Sequence, residues 1–144
     1  MRPFRPLFPQ PDVATIAASF WPFRLDEKRF PVETRLFHTD PETRIIIHVQ
    51  RPEGPPKAHC VLVHGLQGSS NSGYMRSLAQ SLLTAGYAVH RMNIRTCGGT
   101  EFLCQTLYHA GLTSDIRAYL TSLDLERATP VWLTGFSLGA NQVV

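Results

Sequence analysis

The sequence predicts an α/β fold with a mostly parallel sheet, and three observations lead to this prediction. Short apolar runs rich in β-branched residues recur along the chain, as at residues 60–63 and 131–133. Stretches with apolar residues at helical spacing lie between these runs, and glycines mark several of their ends. Strands that alternate with helices pair in parallel through right-handed crossovers. With 144 residues, 43% of them hydrophobic, the chain is long enough for one modest core.

Residues 1–57 are predicted to form an N-terminal extension and the antiparallel strands of the sheet. The first 30 residues or so are rich in proline and aromatic residues, and Asp12 is expected to cap a short helix. Two strand-like runs follow at 33–38 and 44–50, and a turn joins them. The aromatic side chains are expected to pack against the main domain, and a flap that faces a membrane or a substrate is the alternative. These aromatic residues are Phe4, Phe8, Phe20, Trp21, Phe23 and Phe30.

Residues 58–144 are predicted to form the N-terminal half of the α/β core, after a connector rich in proline and glycine at 52–56. The expected elements are a strand at 58–64, a helix at about 74–85, a strand at 88–94, a helix from near Thr113 and a strand at 131–136. The apolar faces of the two helices are expected to lie on the sheet. These faces carry Met75, Leu78, Ala79, Leu82 and Leu83 in the first helix and Ile116, Tyr119, Leu120 and Leu123 in the second.

The charge balance argues against nucleic acid as a partner. The net charge is +3 and the isoelectric point is near 9.0, but the Lys and Arg residues form no dense run. The sequence contains neither Gly-x-x-x-x-Gly-Lys-Ser/Thr nor Gly-x-Gly-x-x-Gly, so nucleotide binding is not indicated. Histidines and cysteines do not cluster at the spacing of metal ligands. We therefore expect neither a metal nor a cofactor.

The cysteines point to a reducing compartment. Cys60, Cys97 and Cys104 cannot all pair with one another, and they form no Cys-x-x-Cys motif. Free thiols are typical of the cytosol, so we expect a cytoplasmic protein. No apolar run approaches the ~18 residues of a membrane span. Prolines interrupt the start of the chain and no apolar h-region follows, which argues against a signal peptide.

The last predicted strand runs into a Gly-x-Ser-x-Gly motif centred on Ser137. In α/β-hydrolases this motif forms a sharp turn between strand and helix that exposes the nucleophilic serine. Gly135 and Gly139 suit the crowded backbone on either side of such a turn. The N–H of Leu138 is then a candidate donor to the oxyanion. The alternative is an ordinary connection between strand and helix with a serine at the surface.

A second glycine-containing loop follows the predicted strand at 58–64. It begins with His64, Gly65 and Leu66. An α/β-hydrolase takes its second oxyanion donor from a loop after an early strand, and the N–H of Leu66 is the candidate. The side chain of Leu66 is expected to pack, and His64 is expected to orient the loop. Taken alone, this segment is more typical of an ordinary glycine-rich turn, but it precedes Ser137 in the order that the fold requires.

With these segments in place, the chain resembles a specific branch of the fold, the YheT-like α/β-hydrolases. Thr96 and Ala140 stand at two positions where that family usually has glycine. The resemblance implies a serine hydrolase of carboxylic esters, and some members of the family act on acylglycerols or phospholipids. The segments that carry it are His64-Gly65-Leu66-Gln67-Gly68-Ser69-Ser70-Asn71-Ser72, Met92-Asn93-Ile94-Arg95-Thr96-Cys97-Gly98-Gly99-Thr100-Glu101, Tyr108-His109-Ala110-Gly111-Leu112-Thr113-Ser114-Asp115 and Gly135-Phe136-Ser137-Leu138-Gly139-Ala140-Asn141.

In this fold the acid and the histidine of the catalytic triad follow the serine, yet only seven residues follow Ser137. We therefore expect the core to be truncated after the nucleophile strand and the chain to be inactive alone. His64 and His109 are expected in loops that line the site, where either is a candidate substitute base. The expected substrate is a short-chain ester or an acylglycerol, with a peripheral membrane contact as an open alternative. The rival hypothesis is a non-catalytic product of a truncated gene, inactive or active only with a separate C-terminal half.

Overall fold

The computed structural model describes residues 9–19, 24–123 and 129–144. The predicted strands and helices are confirmed, and most of their ends lie within two residues of the expected positions. Within these ranges the elements are α1 Pro11–Ser19, β1 Glu33–Asp40, β2 Thr43–Gln50, β3 His59–Val63, α2 Gly73–Thr84, β4 Ala88–Met92, α3 Ser114–Ser122, β5 Val131–Gly135 and α4 Leu138–Gln142.

The start of α1 corrects one expectation. The helix begins at Pro11, so Asp12 lies inside its first turn and is not the capping residue before it. Proline is favoured at the first helical position because its missing N–H would have no partner in the helix. An acidic side chain in the first turn still interacts favourably with the helix dipole.

The five strands form one sheet with the order β1-β2-β4-β3-β5. β2 runs antiparallel to both of its neighbours, whereas β3 runs parallel to β4 and to β5. Four of the five strands therefore point in the same direction, which confirms the mostly parallel sheet. The carboxyl ends of β3, β4 and β5 lie at one edge, so the loops after these strands meet there.

Helices cover both faces of the sheet, and each face has its own apolar cluster. The predicted apolar faces of α2 and α3 are confirmed. The first cluster joins α3 to three strands and includes Ile45, Ile47, Val61, Val63, Ile116 and Tyr119. The second joins α2 to the opposite face and includes Phe30, Cys60, Leu62, Met75, Ala79, Leu83 and Val89. Phe30 thus packs as expected, and the other five aromatic residues of the N-terminal extension lie outside the described residues.

β4 is fully buried although it carries two polar side chains, His90 and Arg91. His90 bonds through Nε2 to His59 Nδ1 at 2.8 Å and through Nδ1 to the hydroxyl of Tyr119 at 2.6 Å. Burial lowers the pKa of His90 to about 3 and raises the pKa of Tyr119 to about 12. Both groups are therefore uncharged at neutral pH, and their mutual hydrogen bonds satisfy them inside the core.

β5 is expected to make the 144-residue chain poorly soluble and prone to self-association. Among the described residues this strand pairs only with β3, and Trp132 on it is 60% exposed. An exposed apolar edge strand pairs readily with other chains, and a lysine on the edge discourages this. We expect Trp132→Lys to reduce the mean mass measured by size-exclusion chromatography with light scattering.

Phe102→Lys is the matched control, because Phe102 is fully exposed but lies in a loop, outside any strand. This variant should leave the distribution of masses unchanged. An unmodified chain that is monomeric and unfolds in a sharp thermal transition would contradict the expectation.

Candidate active site

Ser137 lies at a sharp turn between β5 and α4. Its backbone has φ 51° and ψ −118°, a left-handed conformation that non-glycine residues rarely adopt. Hydrogen bonds hold both sides of the turn. The Phe136 N–H donates to the Val63 carbonyl at 3.0 Å, and the Ala140 N–H donates to the Ser137 carbonyl at 2.9 Å. The side chain of Ser137 is exposed at this turn. Strained backbone of this kind persists only where its surroundings fix it, as at functional sites.

Gly135 and Gly139 make the turn sterically feasible. A Cβ on Gly135 would collide with the backbone of Gly139. A Cβ on Gly139 would lie 2.7 Å from the Val63 carbonyl oxygen and would also collide with the His64 carbonyl oxygen. The start of α4 therefore lies directly against the end of β3, with no room for a side chain between them.

The loop after β3 lies beside Ser137. A Cβ on Gly65 would lie 3.1 Å from the Ser137 Cβ and 3.2 Å from the Phe136 carbonyl oxygen. The parallel pairing of β3 with β5 causes this approach, since Val63 lies opposite Gly135 in the register. The two segments that the sequence singled out are therefore brought together.

The peptide between Gly65 and Leu66 is held by its carbonyl group. The Gly65 oxygen accepts hydrogen bonds from His64 Nδ1 at 2.7 Å and from the Gly68 N–H at 3.0 Å. In a trans peptide the next N–H points away from the carbonyl, so the Leu66 N–H points away from these two donors. Among the described residues, neither the Leu66 N–H nor the Leu138 N–H donates to another group of the protein. Both amides are free to bind a ligand oxygen.

The side chain of Leu66 does not pack as the sequence analysis expected, since it is 62% exposed. It sits at a turn in which Gln67 has a positive φ of 53°. The sharp turn that frees the Leu66 amide also directs its side chain outward. The loop whose Gly65 lies beside Ser137 thus presents an apolar side chain to solvent.

Both ring nitrogens of the buried His64 are engaged. Nε2 accepts the Ile94 N–H at 3.0 Å, so the proton resides on Nδ1, which donates to the Gly65 carbonyl. Burial lowers the pKa of His64, which keeps the ring neutral. His64 therefore orients the loop, and it has no free nitrogen with which to act as a general base.

His109 reaches the same region through its backbone. Its side chain is exposed, and its carbonyl accepts a hydrogen bond of 2.9 Å from Gln142 Nε2. Gln142 is buried in α4, the helix that follows Ser137. The bond ties the loop around His109 to this helix, whereas no described contact brings the His109 ring to Ser137.

Two polar residues, one in β4 and one directly after it, anchor the far end of the loop after β3, and the sequence analysis missed both. Asn93 Oδ1 accepts the Ser70 N–H at 2.8 Å, and Arg91 donates to the Ser70 carbonyl at 2.5 Å and to Gln50 Oε1 at 3.1 Å. Burial lowers the pKa of Arg91 to about 10. Arg91 within a predicted buried strand was a sequence signal for such an anchor, because Arg is rarely buried unless its polar atoms have partners.

A buried ion pair connects the second and third segments of the family resemblance. Arg95 binds Asp115 in a bidentate manner, with distances of 2.7 and 2.6 Å, and it also donates to Thr106 and Asp40. The hydrogen bonds to Asp115 raise the pKa of Arg95 further. Asp115 lies in the first turn of α3, and its carboxylate also holds the loop after β4 through Arg95.

The Thr96 position explains why glycine is usual there in the family. Thr96 has φ 56°, in the left-handed region that β-branched residues strongly disfavour. We expect Thr96→Gly to raise the free energy of unfolding by about 1 kcal/mol, because the relief of strain exceeds the entropic penalty of glycine. Urea denaturation in the Trp132→Lys background measures this change.

The control for this effect is Thr121→Gly, because Thr121 lies in α3 with ordinary helical geometry. That replacement should lower stability, since glycine disfavours helix. Equal destabilisation by both variants would show that Thr96 carries no strain.

Among the residues that the structure describes, no three His, Cys, Asp or Glu side chains form a group that could hold a metal ion. Cys60, Cys97 and Cys104 are free thiols. None of the helices described is long and apolar enough to cross a bilayer.

Comparisons with known proteins agree with this geometry. No family model matches the chain. The YheT protein of Escherichia coli, whose name proposes an esterase, is 31% identical over 84% of this chain and 36% of its own length. A monoacylglycerol lipase of Saccharomyces cerevisiae is 32% identical over 59% of this chain and 19% of its own length. The chain thus spans about a third or less of these relatives.

The fold is also found among solved structures. A serine hydrolase without a lid from Xanthomonas campestris superposes with a TM-score of 0.63 and 26% identity, over 83% of this chain and 56% of that chain. The sequence and structure comparisons therefore agree on the α/β-hydrolase fold, and the sequence match to YheT agrees with the branch that the four segments indicated. Over the residues that it spans, this chain has an α/β-hydrolase fold and is similar to the N-terminal portion of the YheT-like hydrolases.

Proposed function

We propose that this chain carries the nucleophile and the oxyanion site of a serine hydrolase that acts on carboxylic esters. The observation that carries the proposal is the strained, exposed Ser137 with Gly65 packed against it. Strain at this position has no evident structural benefit, but it presents a hydroxyl group beside Gly65 and at the start of α4. The amides of Leu66 and Leu138, which follow Gly65 and Ser137, have no hydrogen-bond partner among the described residues. Such a combination is what attack on a carbonyl requires.

In the proposed reaction, Ser137 Oγ attacks the ester carbonyl carbon while a base takes its proton. The carbonyl oxygen becomes an oxyanion, and the N–H groups of Leu66 and Leu138 donate to it. Collapse of this intermediate releases the alcohol, which takes the proton from the base, and leaves an acyl-serine. Water then attacks the acyl group, and the carboxylic acid and the free serine are formed.

The base is proposed to come from outside these 144 residues. Among the described residues, no hydrogen bond joins Ser137 Oγ to a histidine, and both nitrogens of His64 have backbone partners. The triad acid and histidine follow the serine in α/β-hydrolases. We propose that residues 1–57 and 58–144 contribute the antiparallel strands and half of the core, respectively, and that a C-terminal half supplies these two groups.

The proposed substrates are short-chain esters or acylglycerols, in keeping with the names of the two relatives. A cytoplasmic location, with or without a peripheral membrane contact, is part of the same proposal. A second candidate is a non-catalytic product, inactive alone or active only with a separate C-terminal half. The observation that favours it is the exposed edge strand β5, which pairs with β3 alone among the described residues.

Turnover of a short-chain p-nitrophenyl ester tests the proposal. Four preparations are compared: this chain, the C-terminal half of a YheT-like hydrolase, their mixture, and the mixture with Ser137→Ala. Turnover by the unmodified mixture alone is the expected result. A mixture that forms a stable complex but hydrolyses no ester would support the non-catalytic candidate.

A further inference from the structure

The hydroxyl group of Tyr74 lies between Gly65 and Gly68, two glycines of the loop after β3. Its oxygen accepts the Gly65 N–H at 3.0 Å. A Cβ on Gly68 would lie 2.9 Å from this oxygen, and a Cβ on Gly65 would lie 3.7 Å from it. Tyr74 is the second residue of α2, and nothing in the helical spacing of that segment distinguishes it.

The ring of Tyr74 also touches the residue that precedes Ser137. Its centroid lies 4.7 Å from that of Phe136, with the two planes tilted by 52°. One side chain therefore contacts both halves of the candidate site, the loop after β3 and the turn after β5. Aromatic pairs in this arrangement contribute contact energy beyond the area that they bury.

Gly65 needs an external restraint because it cannot supply its own. Glycine has the widest backbone freedom of any residue, and any side chain here would press on Ser137, 3.1 Å away. His64 and Gly68 hold the carbonyl end of Gly65, whereas Tyr74 alone holds its N–H end among the described residues. With both ends held, φ and ψ of Gly65 are fixed, and so is the direction of the next N–H.

We propose that Tyr74 is a positioning residue that aims the Leu66 N–H at the oxyanion, an inference that rests on the proposed ester hydrolysis. Its hydroxyl oxygen restrains Gly65, and Gly65 sets the orientation of the peptide that carries the donor. Tyr74 itself acts through the loop and touches no reacting atom. Small errors in such an orientation reduce rates strongly, since a shift of about 1 Å lowers them by as much as about a hundredfold.

Hydrogen–deuterium exchange of the Gly65 amide in the 144-residue chain tests the contact without any need for turnover. Tyr74→Phe keeps the ring against Phe136 but removes the acceptor, so the Gly65 amide should exchange about tenfold faster or more. Tyr87→Phe is the control, because the Tyr87 ring faces Trp132 at 6.4 Å, away from the loop. An unchanged Gly65 exchange rate in Tyr74→Phe would overturn the proposal.

Kinetics of the mixture with the C-terminal half test the consequence. Tyr74→Phe should lower kcat by about ten- to a hundredfold and leave KM within about twofold, because the donor acts mainly on the developing oxyanion. Tyr87→Phe should change neither. A higher KM with unchanged kcat, or unchanged kinetics despite faster exchange, would overturn the positioning role.

The exchange and kinetic measurements also distinguish a failure of this inference from a failure of the proposed function. Failure of the unmodified mixture to turn over any ester removes the proposed function, and the role of Tyr74 in catalysis is removed with it. The exchange arm would still report whether Tyr74 restrains Gly65.

Discussion

Ser137→Ala is expected to lower kcat of the complemented enzyme by about 10⁴- to 10⁶-fold. Without the hydroxyl group no acyl-serine can form, and only the oxyanion donors and substrate binding remain to accelerate direct attack by water. KM should change little, because alanine leaves the loop and the turn in place. Initial rates with a p-nitrophenyl ester over a range of concentrations separate the two parameters.

Ser122→Ala is the control, because Ser122 lies at the end of α3 and bonds only to the Tyr119 carbonyl among the described residues. Its mixture should retain full activity. The 144-residue chain alone should show negligible turnover, since members of a triad act as a unit. Strong turnover by the isolated chain, lost on Ser137→Ala, would contradict the inference that the general base lies outside these 144 residues. Activity of the mixture that survives Ser137→Ala would remove Ser137 from its role.

Gly139→Ala is expected to destabilise the protein by about 3 kcal/mol or more and to abolish turnover. The new methyl group would overlap the carbonyl oxygens of Val63 and His64, and backbone atoms cannot move aside as a flexible side chain can. The start of α4 must then separate from β3, which withdraws Ser137 from Gly65. Urea denaturation in the Trp132→Lys background and turnover of the mixture measure the two effects.

Gly111→Ala is the matched control, because a Cβ there meets only the His109 ring at an ordinary 3.7 Å. This variant should unfold at the same urea concentration as the unmodified chain, within error. If Gly139→Ala were equally harmless, the close contact between α4 and β3 would not exist in solution.

The sequence alone was sufficient to predict the order of the helices and strands and the proximity of Gly65 to Ser137. Alternating apolar runs and helical faces define the strands and helices, and parallel strands bring their carboxyl ends to one edge. Once β3 and β5 are neighbours, the residues after them must meet. The same reasoning predicted that His64 orients its loop, although the hydrogen bond of Ile94 that fixes its tautomer depends on the register between strands.

The role of Tyr74, the hydrogen-bond partners of Arg91 and the exposure of Leu66 could not be predicted in this way. Tyr74 acts through one hydroxyl group at the start of a helix, and periodicity describes only which side of a helix is apolar. Arg91 is buried because carbonyl and amide oxygens happen to surround it, a matter of tertiary packing. The Leu66 side chain points outward because Gln67 takes a positive φ, and no glycine or asparagine stands there to signal that turn.

The register of β3 against β5 has a consequence for the order in which this molecule acquires reactivity. Val63 and Gly135 face each other although about seventy residues separate them along the chain. Contacts of such long separation form late, because the intervening chain must first lose much of its entropy. Until that pairing forms, no contact with β3 fixes the strained backbone of Ser137, and Gly65 does not lie beside it. The proposed nucleophile is therefore expected to be inert in a nascent or partly folded chain, and its reactivity requires that β3 and β5 have paired.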